Sequence, residues 1–255
     1  MTRWLMFLIV LPVVCLPHAG PDGNLCDYRG TLNGTTIIGL ALLHGPDREL
    51  HGSYFYKRYL KDIPLKGEYI ADRDIELREY NDSGSVRATF HLHFAETYPA
   101  FTDPHLKEEV LVGTWASGSK TYPVHLSLAD EIFVDDESRR YESMGVTNKA
   151  EFEKEAGKFY FAVLQGNKSA ALQQVQYPLL VFLGKKKLVL RSPSELLHNW
   201  NNIFTPEYVT CLGKGIPHNM FANYRGAMIG NGEIWFDEKG RVVTLNPCLF
   251  HGREF

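Results

Sequence analysis

The chain has 255 residues, with 27 lysines and arginines against 30 aspartates and glutamates and 44% hydrophobic residues, the make-up of a globular protein with a formal net charge of −3. That balance provides no long-range attraction for nucleic acid or for an anionic membrane surface. The one basic run, Lys185-Lys186-Lys187, reads as a solvated turn between apolar strands.

The first element reads as an export signal. Arg3 gives one positive charge, Trp4 to Cys15 form an apolar run, and Leu16-Pro17-His18-Ala19 ends on a small residue. The run is shorter than the roughly 20 apolar residues of a membrane span, so residues 1–19 are expected to be a cleaved secretory signal and the mature chain periplasmic or secreted. A lipid anchor on Cys15 is the alternative, and the bulky Val14 before it argues against one. No later segment reads as an integral membrane span.

Three cysteines follow: Cys26, Cys211 and Cys248. A Cys211–Cys248 bridge would close a loop of roughly 36 residues, worth about 3 to 4 kcal/mol, and would leave Cys26 free or competing for a partner. No Cys-x-x-Cys spacing occurs, so a zinc or thiol-oxidoreductase motif is lacking.

Residues 26–129 are expected to form an all-β antiparallel meander. Seven alternating segments (36–43, 51–56, 63–69, 75–80, 86–94, 110–115 and 122–128) are separated by turn formers such as Gly45-Pro46-Asp47, Asn81-Asp82-Ser83-Gly84 and Ser117-Gly118-Ser119. In the fifth, Val86, Ala88, Phe90, Leu92 and Phe94 point one way and Arg87, Thr89, His91 and His93 the other. A sheet with one apolar face must bury it, which predicts a curled sheet or a small barrel. Gly113-Thr114-Trp115 resembles the strand endings of calycin-type barrels such as avidin, which also implies a curled sheet. His91 and His93, about 7 Å apart on one strand face, could hold a metal with a third ligand from His125 or Glu109; a polar, wet face is the plainer reading.

Residues 130–145, with Asp135-Asp136-Glu137 and Arg139-Arg140, read as a linker of solvated charges. Beyond it a second domain, 146–250, is expected. Thr147 can cap a helix on which Phe152, Ala156, Phe159, Val163 and Leu164 recur at helical spacing to about Gln165. Gly166-Asn167 stops it, a short helix spans 168–174, and 175–182 reads as a strand whose Pro178 suggests its start or an edge position. Ser192-Pro193-Ser194-Glu195 is a capping box opening a helix that buries Leu196, Leu197, Trp200, Ile203 and Phe204. Thr205-Pro206 ends it, and 224–229, 233–237 and 242–246 follow as a strand meander.

The run from Phe159 to Leu172 (FYFAVLQGNKSAAL), with the strand at Tyr177 and the later hairpins, resembles the nuclear transport factor 2-like (ketosteroid-isomerase-like) superfamily over about 110 residues. The resemblance implies an α+β cone, helices wrapped by a curved antiparallel sheet around a pocket. Isomerase members carry a carboxylate base on the strand after the second helix, but residues 177–182 contain no acid. Dehydratase members pair histidine with aspartate, and this half offers His198 and His218 without an evident partner aspartate. The pocket lining is expected to be Tyr177, Trp200, Tyr224, Arg225, Asn231 and Trp235, with Arg225 placed to grip an anionic or carbonyl group.

No nucleophile elbow, zinc-protease helix or phosphate-cradling loop occurs. The sequence therefore points to an exported, two-domain, non-catalytic binding or accessory protein of a bacterial-type cell envelope. It would recognise a protein, an envelope component or a small ligand without a cofactor. The alternative is a small-molecule isomerase, dehydratase or hydrolase using the cone.

Overall fold

The structure is a computed structural model that describes residues 24–97 and 108–248. The expected signal segment lies outside the described residues.

Eight strands form the first half: β1 (Asn24–Leu32), β2 (Thr36–His44), β3 (Glu49–Tyr56), β4 (Ile63–Tyr69), β5 (Asp74–Tyr80), β6 (Val86–Thr97), β7 (Glu108–Ser117) and β8 (Lys120–Phe133). Each pairs antiparallel with its neighbours, and β1 pairs back onto β8, so the sheet is a closed barrel without free edges. Seven of these strands follow the predicted alternation. The strand that closes the barrel, β1, has Asp27 and Arg29 at alternate positions, which hide it from a search for apolar runs.

Ile38, Leu40 and Leu42 of β2, Ile75 and Leu77 of β5, and Phe90 and Leu92 of β6 are buried in a common barrel core. Alternate positions of each strand point inward and fill the interior with side chains. Buried tyrosines find carboxylates: Tyr28 donates to Glu109 Oε1 at 2.7 Å and Tyr54 to Glu79 Oε2 at 2.7 Å. His91 and His93 lie on the exposed outer face, with Nδ1 of each facing Glu76 at 3.3 Å and Asp74 at 2.8 Å.

The second half contains α1 (Lys149–Leu164), α2 (Lys168–Leu172), β9 (Val175–Leu183), β10 (Lys186–Leu190), α3 (Pro193–Ile203), α4 (Pro206–Leu212), β11 (Phe221–Asn223), β12 (Gly226–Ile229), β13 (Ile234–Phe236) and β14 (Val242–Leu245). The caps explain the helix starts. Asn148, rather than Thr147, accepts from Glu151 N; Asn167, Ser192 and Thr205 cap α2, α3 and α4 in the same way. Lys186 and Lys187 are not turn residues but open β10.

The six strands run β10-β9-β14-β13-β12-β11. This sheet is mixed rather than antiparallel as expected, because β14 lies parallel to β9. Pro178 sits where the β9–β14 register shifts and before the β10 pairing begins, so the missing amide breaks no ladder bond. One core links α1, α3 and α4 to the sheet through Phe159, Trp200, Leu212, Leu179, Val181 and Ile234. Cys211 and Cys248 are bridged, at a sequence separation of 37. No described cysteine is free, so Cys26 is not the odd thiol that the sequence suggests.

Candidate functional site

The two halves meet on the outer wall of β1, β2 and β3. Two cross-strand rows lie there, Asp27–Ala41–Ser53 and Arg29–Gly39–Phe55. The central strand carries only small side chains at these outward positions. A Cβ on Gly39 would come within 2.5 Å of the Phe55 ring and 2.6 Å of Arg29 Nη1, so glycine there lets the guanidinium lie against the ring, 5.0 Å from its centroid.

The second half covers this patch with charge. Arg140 and Asp27 are both 0% exposed and form a two-pronged pair, through Nη1 with Oδ2 and through Nη2 with Oδ1 at 2.8 Å. Burial opposes the charge on Arg140, and the carboxylate of Asp27 more than restores it, so its pKa is raised. Within the 130–145 segment Asp135, Asp136 and Arg139 are exposed as expected of solvated charges, but Arg140 is not: it and Tyr141 are completely buried. Arg29 Nη2 donates to the carbonyl of Asn219 at 2.7 Å and pins the loop before β11 to the barrel.

That loop delivers His218 into a buried network. Its Nε2 faces Asp62 Oδ1 at 2.7 Å, and its Nδ1 faces Glu153 Oε2 at 2.6 Å. The ring packs edge-on to Phe55 at 4.5 Å. Lys149 Nζ donates to Asp62 Oδ2 at 2.7 Å and to Glu137 Oε1 at 2.6 Å, and Ser53 Oγ donates to Glu137 at 2.9 Å. Glu153 Oε1 accepts from Tyr141 OH at 2.7 Å and from Asn219 N at 2.8 Å.

With a carboxylate oxygen on each ring nitrogen, both nitrogens must donate, and His218 is held as an imidazolium. Burial pulls its pKa down, but the bonds to Asp62 and Glu153 outweigh burial and raise it above the usual 6.5. For both carboxylates burial acts upward, and the bond from His218 wins and holds them below the ordinary range.

Beside this network lies a groove of about 600 Å³. One wall is a single face of α1, where Ala150, Glu153, Lys154, Gly157, Lys158 and Phe161 recur at helical spacing. The opposite wall is Leu60, Lys61 and Asp62 from the β3–β4 connection together with Pro217 and His218. Ala150 and Gly157 hollow the helix face. A Cβ at Gly157 would meet nothing closer than the Phe161 ring at 3.5 Å, so core packing does not demand glycine there.

The residues expected to line a cone pocket do not come together. Trp200 is 5% exposed in the core, 4.3 Å from the Phe204 ring, and Tyr177 packs half-buried against the same core. Tyr224 is 76% exposed at the β11–β12 turn, where Arg225 stacks on it and donates from Nε to its hydroxyl at 3.0 Å. Trp235 lies on the sheet face away from the helices, beside Met228 and Thr244. Asn231 lines a small cavity of about 130 Å³ with Arg29, Asp130 and Met220. His198 is on the exposed face of α3.

Among the described residues, the cluster with metal-ligand spacing is Cys211, Glu233 and Cys248, not His91 and His93, and its two sulfurs form the disulfide. The aspartate that His218 lacks within its own half comes from the barrel half, 156 positions earlier. The chain matches no family model, no curated protein and no solved structure.

Proposed function

We propose that the mature chain is an exported, non-catalytic binding or accessory protein that holds a small molecule in the groove between α1 and the 60–62 connection. In this reading it consists of a barrel domain and a nuclear transport factor 2-like domain. The helix–helix–hairpin–helix–helix–meander order and the six-stranded sheet support that second assignment. Export rests on the pattern of residues 1–19, and no described helix is long and apolar enough to cross a membrane.

The observation that carries the binding reading is the groove itself: about 600 Å³ of space whose buried ionisable neighbours, Asp62, Lys149, Glu153 and His218, are paired with one another. That size is typical of small-molecule sites. A general base needs a free lone pair, and both nitrogens of His218 are occupied. None of the lining side chains carries a hydroxyl or thiol.

One observation favours the enzyme reading, namely that the Asp62–His218 contact at 2.7 Å is a histidine–aspartate pair at a groove. It would work as acid and base only after Glu153 releases Nδ1. Incubating the purified chain with a small-molecule extract of the cell envelope and analysing retained compounds by mass spectrometry tests both readings. Retention by the wild type and loss in Gly157→Leu supports binding. Equal retention by both overturns it, and a retained compound that emerges chemically changed favours the enzyme.

A further inference from the structure

We infer that the ligand of the junction groove is a monoanion with a flat apolar body; this deepens the binding reading and rests on it. Charge gives the first half of the argument. In the buried network three carboxylates (Asp62, Glu137 and Glu153) face one ammonium, Lys149, and one imidazolium, His218. Those five groups leave a single negative charge. Two exposed ammonium groups on opposite walls, Lys61 and Lys154, have no carboxylate partner among the described residues, whereas Lys158 is held by Glu155 at 2.6 Å. Lys61 and Lys154 turn the deficit into an excess of one positive charge, and one anionic group between them would neutralise it.

Shape gives the second half. On the α1 wall Gly157 carries no side chain and is buried, with the Phe161 ring 3.5 Å from where its Cβ would be, and that ring is itself 42% exposed. Glycine inside a helix costs about 1 kcal/mol relative to alanine, and nothing in the packing around Gly157 requires it. The exposed Phe161 ring is a flat apolar surface for a planar group to lie on, with Leu60 and Pro217 also lining the groove. An apolar body against that ring and an anion near the two lysines would use every unpaired feature of the groove.

The test is isothermal titration of the full mature chain with three probes of one shape: 2-naphthalenesulfonate, 2-naphthalenemethanol and 2-naphthyltrimethylammonium. The sulfonate is expected to bind at least about tenfold more tightly than the alcohol and the cation weakest. The double variant Lys61→Glu/Lys154→Glu should remove the preference for the sulfonate over the alcohol. Gly157→Leu should abolish binding of all three, and its melting curve, with that of Gly157→Ala, shows that the fold is retained. Equal binding of sulfonate and alcohol overturns the anion assignment and leaves the binding reading standing. No binding of any probe up to about 1 mM, or binding that survives Gly157→Leu, overturns both.

Discussion

The barrel interior and the junction between the halves are both closed to water, but they are closed by opposite means. Inside the barrel, Leu40, Leu42, Leu77 and Phe90 exclude water with apolar volume, and any side chain of similar size and shape would serve. At the junction, Asp27, Arg140, Glu153 and His218 are buried as charges, each tolerable only because its partner is in place. The barrel core therefore specifies a shape, whereas the junction specifies one arrangement of the two halves and leaves a groove with a defined charge beside it.

The largest expected effect tests that contrast at its most buried pair. Arg140→Met strands the Asp27 carboxylate and should cost about 3 to 5 kcal/mol in urea unfolding, while Asp27→Leu/Arg140→Met together should recover most of that loss. If the single variant costs under about 1 kcal/mol, the junction is not held by charge and the comparison breaks.

In the barrel, Leu40→Ala should cost about 3 kcal/mol by leaving a cavity, and it should leave the pH dependence of stability unchanged.

His218 sharpens the comparison through pH. Its folded pKa is raised, so its stabilisation is fully present below about pH 6.5 and is lost as pH rises through the raised value. Asp62 and Glu153 act in the opposite direction, contributing above the ordinary carboxylate range near pH 4 and losing that contribution as pH falls through their lowered values. His218→Gln should cost about 2 kcal/mol at pH 6 and should flatten the alkaline limb of a plot of melting temperature against pH. A wild-type melting temperature that stays constant from pH 6 to pH 9 would contradict the paired imidazolium.

The smallest effect has the opposite sign. Gly157→Ala should stabilise the chain by about 1 kcal/mol in the same urea assay, because the added methyl suits the helix and makes an ordinary van der Waals contact with the Phe161 ring. Destabilisation would show that Gly157 serves packing instead of the groove.

The barrel was largely legible in the sequence because period-two alternation and turn residues act locally. The short connections from β2 to β3 (45–48) and from β5 to β6 (81–85) need no long-range information beyond "next strand pairs with last". The helix starts were legible for the same reason, with Ser192 and Thr205 capping α3 and α4 at the expected places. The candidate site was not, because Asp62, Glu153 and His218 occupy three separate connections and elements and share no spacing. What the sequence did carry was indirect: Gly39 and Ala41 as small outward residues on an otherwise bulky strand, and Gly157 inside a strongly patterned helix. The six aromatic and polar residues expected to line a cone pocket share chemical type but not place, since the sheet sends Trp235 to one face and Tyr177 to the other.

The closure of β1 onto β8 also sets an order of events on the ribosome. Asn24 pairs with Phe133, so the first described strand has a bare side until nearly the whole barrel has been synthesised. Arg140, which neutralises the carboxylate of Asp27 in that strand, emerges only after the last barrel strand is complete. A nascent chain stopped at Phe133 would hold all eight strands and still lack its counter-charge. The outer wall of the barrel is thus completed by the segment behind it, and cutting the gene between the halves would leave Asp27 facing water on that wall without its counter-charge.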